Sequence, residues 1–213
     1  MTVKPGAFRF NTDSMKLEIF RGADVGIGTL AAGQWEEIQA TSPDVQTGGT
    51  RGVIGGGNNP SALTDIEFVT ISSTGNATDY ADLTDSRGAL TALASRTRAV
   101  FACGYSPGDV NTIDFITIAS GGTAEDFGDN TASGNNGARY APAGVSNSTR
   151  GLIAGGQAVP AGTKYAEITY VTIAQTGNSV AFGDLTVARG DSGACANSTR
   201  GCLLYTSPSP RDS

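Results

Sequence analysis

The 213-residue chain contains no histidine, and that absence excludes more than any motif it carries. Without imidazole there is no Ser-His-Asp or Cys-His catalysis, no His-ligated zinc or copper, and no proton shuttle near neutral pH. Three cysteines, Cys103, Cys195 and Cys202, stand without CxxC spacing, which argues against a zinc site or a redox motif. They read as thiols carried in strands. Lysines are scarce (Lys4, Lys16, Lys164) beside 30 glycines and a single tryptophan, so strand and turn chemistry is expected in place of long helices. The net charge of −6 comes without a basic cluster, which speaks against a nucleic-acid partner. No apolar run approaches the ~20 residues that span a bilayer, so no membrane insertion is expected. The opening "MTVKPGAFRF" lacks the apolar core of a secretory signal. No catalytic residue, metal site or cofactor is expected, and the chain reads as a non-enzyme.

What is present is a repeat. Three segments superpose, beginning "TRGVIGGG", "TRAVFACG" and "TRGLIAGG" at Arg51, Arg98 and Arg150, and a fourth begins at Arg200. The periods are 47, 52 and 50 residues. The steps from Phe68 to Tyr80, Phe115 to Phe127 and Tyr170 to Phe182 are all 12 residues. Those from Arg87, Arg139 and Arg189 to the next Thr-Arg arginine are all 11. Length varies in two places: the loop after the glycine cluster, and the stretch from Thr131 to Arg139, which is five residues longer in the second copy. Fixed spans beside variable ones read as strands beside loops.

Each copy offers four short strands: the glycine-cluster strand, "IEFVTI" and its equivalents, a segment around "TDYADL", and one after the later arginine, as in "GALTALA". Glycines allow close backbone approach, so the first of these is expected to be innermost. The "VIGGG" and "LIAGG" clusters, the aromatic strand after them and the arginine near the end of each copy resemble kelch repeats. That resemblance implies an all-β fold of kelch-like β-propeller blades, about three four-stranded repeats forming an incomplete ring. It is loosened by Tyr80, Phe127 and Phe182 standing where kelch repeats carry tryptophan, and by "FACGY" breaking the glycine doublet.

The strings "TRGVIGGG", "NTIDFITIAS" and "FGDLTVARG" further resemble repeat arrays in predicted structural proteins of marine tailed phages. Residues 1–45 read as a small β-module, a hairpin of "AFRF" and "KLEIF" followed by a strand around Trp35. Such a module is similar to ones in tail-fibre and other virion proteins. Residues 46–201 carry the repeats, at about 50–97, 97–148 and 149–198, with a fourth started at 199. Cys202 to Asp212, "CLLYTSPSPRD", resemble one translated frame of a widely used sequencing adapter, so residues 202–213 are expected to be a non-native tail on a truncated fragment.

Several positions recur once per copy. Phe68, Phe115 and Tyr170, with Tyr80, Phe127 and Phe182, suit a core between blades or a stacking platform for sugars. Asp82, Asp129 and Asp184 suit Asx turns, or calcium if enough oxygens converge. Arg87, Arg139 and Arg189 suit a bond between blades, to those aspartates or to backbone carbonyls, or an anion site. Arg51, Arg98 and Arg150 open the copies. The variable loops supply candidate binding residues: Asn58 and Asn59 in the first, Ser106 and Asp109 in the second, and Gln157, Lys164 and Tyr165 in the third. Binding and neutral drift look alike in these loops.

The function these readings imply is that of a phage virion structural or tail-fibre-associated protein whose repeats form an adhesion scaffold. It would assemble in the host cytoplasm and then become extracellular. Its partners would be other virion proteins or a host-surface glycan or receptor, and self-association fits the same reading. A cellular kelch-like scaffold for protein or glycan binding is the alternative. An enzyme resembling the copper oxidase that carries kelch blades is opposed by the missing histidines.

Overall fold

The computed structural model describes residues 7–11, 16–21, 34–37, 50–159 and 162–204. The chain divides into two compact units, Met1–Asp44 and Val45–Ser213. In the first, β1 (Phe8–Asn11), β2 (Lys16–Arg21) and β3 (Gln34–Glu37) form an antiparallel sheet in that order. Arg9 donates to Glu18 at 2.6 Å across the β1–β2 pair and lies 4.3 Å from the Trp35 ring. Phe20 meets the same ring edge-on.

Among its described residues the second unit is built from short strands, with one 3-10 turn at Asn135–Gly137. They are β4 (Arg51–Gly55), β5 (Asp65–Thr70), β6 (Thr78–Asp82), β7 (Thr91–Ala94), β8 (Arg98–Ala102), β9 (Thr112–Thr117) and β10 (Glu125–Asp129). There follow β11 (Ala143–Ser146), β12 (Arg150–Ala154), β13 (Gln157–Ala158), β14 (Thr163–Lys164), β15 (Glu167–Thr172), β16 (Val180–Asp184), β17 (Gly193–Ala196) and β18 (Gly201–Leu204). The protein is thus all-β, made of several small antiparallel sheets, none closed on itself among the described residues.

The grouping of strands differs from the one the repeat suggests. The strand after each later arginine joins the following copy: β7 pairs with β8 and β11 with β12. The two complete sheets run β7-β8-β9-β10 and β11-β12-β15-β16, while β4-β5-β6 and β17-β18 are shorter. The structural unit is therefore offset by one strand from the sequence unit. Nor is the glycine-cluster strand the one nearest its neighbours. Sheets approach one another most closely along β7, β11 and β17, the strands of "TALA", "AGVS" and "GACA". A Cβ at Gly144 would stand 2.3 Å from Thr91 Oγ1 and 2.9 Å from the Ala92 carbonyl, so bare backbone is needed at that approach.

The core is made at the junctions between sheets. One cluster gathers Ile66, Ala81 and Leu83 of the first copy with Phe101, Ile116 and Ala124 of the second. The other gathers Val100, Ile113, Phe115 and Phe127 of the second copy with Ile153, Val171 and Ile173 of the third. A sheet of four short strands cannot bury both faces by itself, so burial depends on stacking against the next.

Candidate functional site

In each copy the fixed 12-residue step ends on a β-bulge. Ile66 faces Ala81 and Glu67 faces Asp79, so Tyr80 is the extra residue. The same slip leaves Phe127 and Phe182 unpaired in the other two copies. A bulge re-aims its side chain, and here it brings each aromatic ring edge-on to the one in the neighbouring strand. The ring centroids lie 5.0, 5.8 and 6.3 Å apart for Phe68–Tyr80, Phe115–Phe127 and Tyr170–Phe182. Phe127 is 2% exposed beneath the next sheet, whereas Phe182 is 54% exposed. Phe115 and Phe127 thus lie in one junction cluster, and Tyr80 packs against the other.

The opening arginines stack on these rings. Arg51, Arg98 and Arg150 lie 4.8, 4.4 and 4.8 Å from the centroids of Phe68, Phe115 and Tyr170. Two of them reach the next sheet: Arg51 donates to the Ile118 carbonyl at 2.8 Å, and Arg98 to the Ile173 carbonyl at 3.1 Å. Tyr80 OH donates to the Ile118 carbonyl as well.

The later arginines diverge. Arg87 is buried and donates to Asp114 at 2.7 Å, and that carboxylate also accepts from the Thr84 hydroxyl at 2.8 Å. Arg139 is buried and donates to the Gly155 carbonyl at 2.8 Å, with Glu167 4.0 Å away and the Tyr165 ring at 4.8 Å. Burial pulls Arg139 below its ordinary pKa, opposed by Cys103, Glu167 and Tyr165. Arg189 donates within its own segment to the Val187 carbonyl. The carboxylate partners of Arg87 and Arg139 are therefore Asp114 and Glu167, and not the aspartates Asp82, Asp129 and Asp184. The side chains of those three are exposed, and two of them work through their backbone: Ala124 N donates to the Asp82 carbonyl at 2.7 Å and Ser179 N to the Asp129 carbonyl at 2.9 Å. No group of three or more metal-ligating His, Cys, Asp or Glu side chains occurs among the described residues. Neither Asp114 nor Glu167 is matched by an acid in all three copies, since Thr169 and Thr112 stand in their places, so strict periodicity could not flag them. For Asp114, the usable signal was a lone acid inside the apolar run "TIDFIT".

The variable loops are tied to the later-arginine segments and, through these, to each other. Gly57, Gly104 and Gly156 donate to the carbonyls of Arg87, Arg139 and Arg189. Two residues beyond each arginine, Ala89, Ala141 and Asp191 all take a left-handed conformation, with φ of 50°, 49° and 52°. Asp191 N donates to the Ala141 carbonyl and Ala141 N to the Ala89 carbonyl, a ladder that crosses three copies. The loops therefore lie side by side along one rim. Asn58 packs against Gly88, which bridges to Tyr105 beside Ser106. Asp109 accepts from Val159 N at 2.7 Å and from Asn135 Nδ2 at 3.0 Å, joining the second loop to the third and to the five-residue insertion. Gln157 is buried and donates to Asp191 at 2.7 Å, which makes it a strut of the rim. Asn59 and Lys164 are exposed, and Tyr165 is half-buried against Arg139.

Beside Asp109 the insertion opens a polar hollow of about 450 Å³, lined by Asn111, Asn130, Asn135, Asn136 and Asn178 with Asp129, Thr131 and Ser133. Carboxamides carry both donors and acceptors, so this lining can match hydroxyl groups of either sense. A second hollow of about 290 Å³ lies between Ser86, Arg87 and Ser106. No protein-family model and no curated protein matches this chain.

Proposed function

We propose that the protein is a non-enzymatic virion structural or tail-fibre-associated component of a tailed phage, and that its repeats form a kelch-like, propeller-type scaffold for adhesion. The observation that carries the binding part of this reading is the rim. Three loops that differ in length and sequence are held edge to edge by an invariant backbone ladder, beside an amide-lined hollow. Constant scaffold with variable loops on one side is a common way to build a recognition surface. A glycan of the host surface fits the amide-rich, hydroxyl-matching lining, and another virion protein fits the exposed loops. The reading of phage origin rests on the sequence resemblance.

The test is retention of the full-length chain on a glycan array and on intact candidate host cells. The expected result is selective retention that falls at least tenfold in a variant carrying Asn135→Ala with Asn178→Ala. A second variant, Asn59→Ala with Lys164→Ala, should weaken it to a lesser degree. Retention indifferent to both variants, or none on any glycan or cell, would overturn the glycan reading.

A further inference from the structure

Each internal junction uses the same three contacts. An opening arginine donates to an isoleucine carbonyl one sheet on (Arg51 to Ile118, Arg98 to Ile173). A backbone N–H returns to an aspartate carbonyl (Ala124 to Asp82, Ser179 to Asp129). An apolar side chain from the later sheet closes the core, Phe101 at one junction and Ile153 at the other. The outer faces of the first and third sheets carry the two halves of one more such junction. On the first sheet, Ile71 is 68% exposed although its equivalent Ile173 is fully buried, and Ile54 is 53% exposed where Phe101 and Ile153 are buried. On the third sheet, Arg150 already stacks on Tyr170 as Arg98 does on Phe115, and Phe182 stands 54% exposed where Phe127 is buried.

We propose that these faces dock on each other between two copies of this chain, head to tail. Arg150 of one copy donates to the Ile71 carbonyl of the next, and the second copy's Ala77 N–H donates to the Asp184 carbonyl. Ile71 enters at the groove of about 250 Å³ that Arg150, Leu152 and Phe182 form with residues 196–201 of the β17–β18 hairpin, and the release of Gly201 opens it further. The second copy is the fitting occupant because its first sheet offers the residue types and spacings that sheets two and three use against their predecessors. The hairpin β17–β18 covers the inner part of the receiving face, beside β11. Its second strand holds the place that the incoming β4 takes, so docking releases Gly201–Leu204. An isolated two-stranded hairpin is marginal in water, which makes that exchange feasible. The two patches are different surfaces, so the contact is heterologous and propagates beyond a dimer.

Sedimentation of the full-length chain over a concentration series tests this. The expected mass rises above 21.6 kDa with concentration and does not stop at twice that value. Ile71→Asp and Phe182→Asp each weaken association at least tenfold. Ile71→Asp leaves the thermal melt of the dilute protein in place because its side chain is 68% exposed, and Phe182→Asp lowers it slightly through the lost Tyr170 ring contact. An equimolar mixture of the two variants forms a dimer and nothing larger, since each contributes its one intact face. Arg150→Gln weakens association without changing the melt. A chain that stays at 21.6 kDa at every concentration, association indifferent to all three substitutions, or a mixture that forms no dimer would each overturn the proposal. None of these outcomes bears on the glycan reading, which rests on the rim loops.

Discussion

Gly56 and Gly155 sit at φ 65° and 64°, and between them in the repeat stands Cys103 at φ 63°. A side chain in the left-handed region costs about 1–2 kcal/mol. Here the cost is offset by a buried sulfur packed into the cluster of the second junction. Cys103→Gly should therefore change stability by less than about 1 kcal/mol in urea unfolding, since strain relief, lost packing and unfolded-state entropy oppose one another. Cys103→Ile, β-branched and larger, should cost more than about 3 kcal/mol. Burial also pushes the Cys103 thiol from 9.0 up to about 12, against the pull of Arg139 and Arg87. The unfolded thiol thus ionises first. Its contribution is intact below pH 9 and is lost as pH rises towards 12, at up to about 1.4 kcal/mol per pH unit. Stability of the wild type should fall more steeply than that of Cys103→Gly across this window. At Asp114, whose carboxylate satisfies both Arg87 and Thr84, removal leaves a buried guanidinium uncompensated. Asp114→Ala should cost about 3–5 kcal/mol.

Among the elements, the bulged strands β10 and β16 permit a matched comparison. Gly128 and Gly183 occupy equivalent bulge positions with φ of 139° and 154°. A Cβ at Gly128 would lie 2.7 Å from the Gly177 carbonyl carbon of the next sheet, while a Cβ at Gly183 meets nothing within 4 Å. Both alanine variants carry backbone strain, but only Gly128→Ala also pushes two sheets apart. It should lower the melting temperature more than Gly183→Ala, by several degrees. The strands themselves were legible because β-branched and aromatic residues, punctuated by glycine and asparagine, mark them locally. The bulge was not, because Tyr80 is followed by Ala81 where the other copies have glycine. Which copy each strand joins was not legible either. Hydrogen bonding between β7 and β8 leaves no mark in either strand, and "TALA" carries no glycine to announce its close approach. The recurrent arginines pointed to contacts between sheets, yet Asp114 and Glu167 answer them singly.

On the scale of the whole molecule, stability is a sum over junctions more than over sheets. Phe101 lies in the first junction with Gly55 against its ring, so Phe101→Ala should cost about 3–5 kcal/mol and be felt in both sheets it joins. The rim responds differently. Loop closure costs grow slowly, about 0.6 kcal/mol per doubling of length. Six Gly/Ser residues inserted between Pro107 and Gly108 should cost less than about 1 kcal/mol, provided Asp109 keeps Val159 and Asn135. Melting curves of the insertion and of Asp109→Ala would separate loop length from the tie that anchors it.

The polar contacts at the junctions also give each copy an address. Arg87 finds its carboxylate at Asp114 in the second copy, at a position where the third copy holds Thr169. The insertion of the second copy is fastened by Glu167, through both Ser133 N and Ser133 Oγ, where the second copy itself has Thr112. Three segments that superpose by sequence are therefore not interchangeable parts. A chain with its second and third copies transposed would keep every strand and every apolar layer, and would still set a buried guanidinium opposite a threonine. The order of the repeats is written into the polar exceptions to the repeat.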